Sequence, residues 1–236
     1  MEGHYYSFRA KPGSLPKGAV LISESEAIVL QRKFLEEWKN KFQVFPLNYS
    51  PVFTSGMAAV SSVMISNHFR RHMKLRNFGR FTIQLPTVFM PSMLAGLLHR
   101  YLVTDRILLQ NDCGVCIQVR SICLQEAFGF VVPSILAPLA CFAYAERYGT
   151  YPLPAVSKEN WKHFFGIYAK IARKFSRKSG LLLFANFFLG LSVCYWQQNN
   201  FLDIHRTVAE EYKGAEDAME KFVDQTKPLT RISRWM

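Results

Sequence analysis

Cys113 and Cys116 are the residues of this chain best spaced to do chemistry together. They stand in Asp-Cys-Gly-Val-Cys, a Cys-x-x-Cys within a polar loop. That spacing can hold a disulfide, serve as a redox dithiol, or supply half of a zinc site. Zinc needs two further ligands, and no second cysteine pair or nearby histidine cluster provides them. A redox dithiol usually presents its first cysteine at a helix N-terminus in a thioredoxin-like fold, which the sequence does not show. In an oxidising space a local structural disulfide is the expected state, with plain thiols and a redox role as the alternatives. Cys123, Cys141 and Cys194 lie in or beside apolar runs, where cysteine is an ordinary small core residue.

The histidines are scattered. His68 and His72 have the four-residue spacing of ligands on a helix, but Arg70, Arg71 and Lys74 surround them and disfavour a divalent cation. No nucleophile-and-base set, glycine-rich phosphate loop, zinc-finger spacing or RNA-binding signature is present. The chain therefore reads as non-enzymatic, with no cofactor and no metal. Its net charge of +12 would suggest nucleic acid in a soluble protein. Here the basic residues flank apolar runs, so they are expected to set topology and meet anionic headgroups, not nucleic acid.

Those runs are Asn48 to Asn67, Phe81 to Leu98, Ala127 to Ala145 and Ser179 to Leu202, each free of Asp, Glu, Lys, Arg and His. A hydrocarbon core about 30 Å thick needs about 20 mainly apolar residues in a helix. Backbone amides in lipid must be satisfied internally, so the runs are expected to be packed helices. The predicted fold class is an all-α membrane protein with four transmembrane helices and flanking amphipathic helices. Its parts would be a lead-in and amphipathic helix (1–47), a transmembrane bundle (48–202) and an acidic helical tail (203–236).

The first amphipathic helix should start at Ser23, with Glu26 as reciprocal capping partner. Its stripe would run from Leu30 through Phe34, Leu35, Trp38, Phe42 and Phe45, and Pro46 would stop it. The first run is rich in Gly, Ala and Ser, which lets helices approach closely. Pro86 and Pro91 in the second run and Pro133 and Pro138 in the third predict kinks, read as serving packing. Residues 158–178 predict a basic interfacial helix. Trp161, Phe164, Phe165, Tyr168, Ile171 and Phe175 would share its lipid-facing side. Lys162, Lys170, Arg173, Lys174, Arg177 and Lys178, with Arg70 and Arg71, would contact anionic lipid. In the tail, Ile204, Val208, Tyr212, Ala215, Met219 and Phe222 form a stripe among acids, suited to a protein partner.

Loops 68–80 and 146–178 hold five and eight Lys or Arg, against three in loop 99–126. The first two should face the cytoplasm or matrix, with both termini and the Cys113 loop opposite.

Several of these stretches in order resemble the transmembrane protein 126 family. They are SNHFRRHMKLR, LPTVFMPSMLAGLLHRYLV, DCGVCIQVRS and VVPSILAPLACFAYAERYGTYPLP, together covering about Ser66 to Pro154. The resemblance implies a four-span protein of the mitochondrial inner membrane, and the Lys and Arg count would then put its termini in the intermembrane space. The resemblance also implies an assembly factor, or chaperone-like scaffold, for respiratory complex I. Its partners would be complex I membrane subunits, other assembly factors and membrane lipids, with cardiolipin a candidate. The alternatives are a small-solute transporter or channel lined by Gln84, Thr87, Ser92 and Ser134, and a thiol-relay protein using Cys113 and Cys116.

Overall fold

Ser23 begins the first helix, as its spacing to Glu26 predicts. The computed structural model describes residues 22–110, 112–152 and 161–226. The lead-in before Ile22 and Lys158 lie outside them, as do the side chains of Trp161, His163 and Phe164 and those expected to form the tail stripe beyond Val208. In helix α1 (Glu24–Glu37) the Ser23 hydroxyl accepts the Glu26 N–H at 3.3 Å, and the Ser23 N–H donates to the Glu26 carboxylate at 2.9 Å. That backbone bond first, and then the Ser23 hydroxyl, holds the Glu26 carboxyl below its usual range.

The stop comes earlier than Pro46. The chain breaks at Trp38, and Asn40 caps α2 (Lys41–His72) by accepting the Phe42 N–H at 3.2 Å. Pro46 and Pro51 are carried inside α2, because the capping asparagine, not the proline, fixes where the new helix starts. The expected stripe is thereby split: Phe34 and Leu35 are buried, but Phe42 beyond the break is 87 % exposed.

Three long helices follow: α3 (Arg80–Leu109), α4 (Gly114–Tyr148) and α5 (Trp161–Thr226). Wide π-type turns interrupt α3 at Leu85–Phe89 and Arg100–Thr104 and α4 at Ala127–Val131. Pro86 lies in one of these turns, and Pro91 and Pro133 are each the second residue past one, so the missing proline N–H groups fall in or beside the relaxed part of the ladder.

Helices α3 and α4, and the Phe165–Glu210 part of α5, are long and apolar enough to cross a membrane. The described residues thus form an all-helical membrane protein with three candidate spans. Helix α2 is not among these three, since Ser50, Thr54, Ser55, Ser61, Ser62 and Ser66 dilute its apolar run.

Two expected loops turn out to be helix. Between the second and third runs, α3 continues to Leu109 and α4 begins at Gly114, leaving a short turn around Gln110. The supposed interfacial helix is continuous with the span that follows it. Helix α5 is one 66-residue rod, about 100 Å long at 1.5 Å per residue. A rod that crosses a bilayer cannot also lie in its plane. The break expected near Lys178 does not occur: no proline stands there, and Ser179 donates back to the Ser176 carbonyl of its own helix at 2.8 Å instead of capping a new one, so the helix runs on through Gly180.

The long helices alternate in direction. Ser50 and Ser61 of α2 meet Gln197 and Asn186 of α5, and Gln118 and Ser121 of α4 meet Gln198 and Gly190 of α5, so both pairs are antiparallel. Apolar side chains gather in two clusters. One joins Phe34, Leu47, Ile107, Ile117 and Phe201 at the α1 end. The other joins Phe69, Met73, Ile83, Ala145 and Phe175 at the opposite end. Helices α2 and α3 touch closely at Gly96, where an added Cβ would stand 2.8 Å from the Pro51 carbonyl oxygen. Small residues permit such approach without lipid between the helices.

Candidate functional site

The basic residues of α5 and the α2–α3 turn share one end of the bundle. Ile171 and Phe175 are buried against α2 in the cluster with Phe69 and Met73. Tyr168 stacks on Phe69 at 5.8 Å, and His68 Nε2 lies 3.2 Å from the Ile171 carbonyl oxygen. This corrects the expected aromatic face: Tyr168, Ile171 and Phe175 pack on the protein itself, because α2 ends beside them and offers an apolar surface first. Phe165 alone of the stripe's described side chains is exposed. Lys162, Lys170, Arg173, Lys174, Arg177 and Lys178 are exposed, and so is Arg71.

Arg70 is a second correction. It is only 5 % exposed and donates to the backbone carbonyls of Arg76 at 2.8 Å, Phe78 at 3.3 Å and Gly79 at 3.4 Å. Five guanidinium donors in a rigid fork suit that task. The side chain holds the turn together and cannot serve a headgroup. Within this turn Lys74 and Arg76 have φ of 54° and 43°, and Gly79 has φ of 58° with the Tyr144 ring packed where a side chain would project.

The cysteine pair sits at the other end. Cys113 is the N-cap of α4 and Cys116 is in its first turn, so the pair belongs to a helix start and not to a loop. Both are free, exposed thiols. The Cys116 N–H first, then the Cys116 thiol and the Val115 N–H, hold the Cys113 thiol below its usual range. The helix start is tied down on two sides. Gln198 of α5 donates to the Gly114 carbonyl at 2.8 Å and accepts from Gln118 at 2.8 Å, while Asp112 pairs with Arg120 at 3.1 Å. Among the described residues no group of three or more His, Cys, Asp or Glu gathers as a metal site.

Between the two apolar clusters runs a polar seam that the sequence reading missed. Asn186 is fully buried. It donates to the Ser61 hydroxyl at 3.0 Å and the Leu182 carbonyl at 2.9 Å, and accepts from Gln125 at 2.9 Å. Gln125 also donates to the Thr54 carbonyl at 3.3 Å. Farther along, Gln197 donates to the hydroxyls of Ser50 and of Thr104, the latter at 3.0 Å. Its carbonyl oxygen lies 3.1 Å from His99 Nε2. That oxygen only accepts, so His99 carries its proton on Nε2. The seam explains the low hydropathy of α2, whose hydroxyls face other helices. The available signal was the pairing of serines on one face of α2 with Asn186 and Gln197 inside the apolar run of α5.

An antiparallel helical bundle with apolar outer faces and a hydrogen-bonded interior is the architecture of an all-helical membrane protein. The chain matches the family described as transmembrane protein 126 over residues 25–211. It is 37 % identical over 177 residues to the Drosophila melanogaster protein transmembrane protein 126, covering 74 % of this chain and 79 % of that one. The chain belongs to the transmembrane protein 126 family. No solved structure matches it.

Proposed function

We propose that this chain is a non-catalytic assembly factor of the mitochondrial inner membrane that holds membrane subunits of respiratory complex I during their biogenesis. The observation that carries this reading is the self-contained seam. Asn186 bonds Gln125 and Ser61, and Gln197 bonds His99 and Ser50, leaving outward faces that are apolar. Phe81, Leu85, Phe89, Phe184 and Phe188 are all exposed, a surface suited to lipid and to other membrane helices. A solute path is disfavoured by the hydroxyls expected to line it. Thr87 donates to the Ile83 carbonyl of its own helix at 2.6 Å, and Ser92 to that of Phe89 at 3.0 Å. In this reading α2 crosses as a fourth span, its polar groups shielded by α3, α4 and α5, and the basic end faces the matrix.

Removing the protein from mitochondria is expected to deplete assembled complex I while the other respiratory complexes persist. A tagged copy should co-purify complex I membrane subunits. Normal complex I in its absence, with no such subunit bound, would overturn the reading.

The exposed cations add a second prediction. Each basic residue near an anionic surface contributes about 1 kcal/mol. Reversing Lys170, Arg173, Lys174 and Arg177 to Glu is expected to lower complex I assembly and weaken the purified protein's retention of anionic phospholipid. Because Ile171 and Phe175 hold this segment on α2, the reversed protein should keep its helix content. Unchanged lipid retention would remove the headgroup role.

A further inference from the structure

We propose that Cys113 and Cys116 form an exchange-active dithiol that reduces a partner disulfide, Cys113 attacking and Cys116 resolving. The proposal does not rest on the scaffold reading. Four features of the α4 start support it. Both thiols are exposed, so a disulfide can reach them. They stand at the N-cap and third position of the same helical turn, so the second can follow the first. Cys113 occupies the N-cap, where unpaired backbone N–H groups favour a thiolate. Cys116 is one turn inside and lacks that position.

The frame is also rigid where it must be. Gln198 holds the Gly114 carbonyl, and the Asp112–Arg120 pair fixes the approach to the cap. The pairing with Arg120 also engages the carboxylate next to Cys113, whose charge opposes a thiolate. Val115 and Val119 are exposed beside the thiols and give an apolar lip against which a disulfide-bearing segment can rest.

The step balances without a further reagent. The Cys113 thiolate attacks one sulfur of a disulfide R–S–S–R′, forming a mixed disulfide and releasing R′–S⁻. Cys116, losing its proton, attacks Cys113 Sγ, closing an internal disulfide and releasing R–S⁻. The two protons given up by Cys113 and Cys116 end on the released thiols, and two electrons pass from the cysteine pair to the partner.

The test uses the full-length protein in detergent with oxidised glutathione as probe, in a background where Cys123, Cys141 and Cys194 are serine. Cys116→Ser should accumulate a glutathione adduct on Cys113. Cys113→Ser should form the Cys116 adduct about tenfold more slowly. The protein retaining both cysteines should release both glutathiones and end as an internal disulfide. Equal rates for the two single variants, or a stable adduct when both cysteines are present, would overturn the assignment. In membranes, the Cys116→Ser protein resolved without reductant distinguishes the partner: a larger protein adduct points to a protein disulfide, and glutathione alone to the small-molecule pool.

Discussion

Gly96→Leu is expected to disrupt the packing of α2 on α3, whereas Gly56→Leu, on the same bundle, should be nearly silent. Even the first carbon of a side chain at Gly96 would stand 2.8 Å from the Pro51 carbonyl oxygen and 3.2 Å from Ser55 Cβ. The Pro51 contact is with backbone, so relief requires the helices to separate. Overpacking of this kind costs about 1–3 kcal/mol, and leucine adds atoms beyond the first clash. Nothing lies within 4 Å of a Cβ built on Gly56, and both substitutions gain helix propensity by similar amounts. Denaturation followed by loss of helical signal should show a large fall for the first variant and little change for the second. Equal stability of the two would mean that α2 and α3 do not meet as described.

Asn186→Leu should be the most damaging change of similar size on α5. It removes an acceptor from Gln125 and a donor from Ser61, in the middle of the bundle. Interhelical hydrogen bonds in membranes contribute about 0.6 kcal/mol on average and up to about 1.7 kcal/mol. The larger figure applies here because the Gln125 amide and the Ser61 hydroxyl, both buried, each lose a partner. Combining Asn186→Leu with Gln125→Leu should cost less than the two changes separately, by about 0.5–2 kcal/mol, since the bond between them can be lost only once. Strict additivity would show that the two amides do not depend on each other.

The helices of this fold were largely legible in the sequence because apolar runs free of charge have few alternatives in lipid. Ser23 and Glu26 announced the start of α1 through a local, reciprocal interaction. What local pattern could not supply was continuity and partner. Ser179 and Gly180 follow Lys178, and the change there from basic amphipathic to apolar character reads as a boundary, yet the helix runs through, so one helix was divided in two. Arg70 and Arg71 are neighbours of equal charge, but only the fold turns one toward the carbonyls of Arg76, Phe78 and Gly79 and the other toward solvent. The cysteine spacing was plain, whereas its place at a helix cap depended on how far α3 and α4 extend into a stretch that looked like loop. The seam was hidden for the same reason: Gln125, Asn186 and Ser61 become one feature only when three helices meet.

That seam also sets an order of events during synthesis. Helix α5 is translated after α1 to α4, and it carries Asn186 and Gln197, which complete the contacts of Ser50, Ser61, Thr104 and Gln125. Until it arrives, the earlier helices present amides and hydroxyls that lipid cannot satisfy. Docking of α5 removes them from view in one step. A bundle without α5 would therefore leave Gln125, Thr104 and the α2 serines facing lipid, each at the cost of an unpaired polar group.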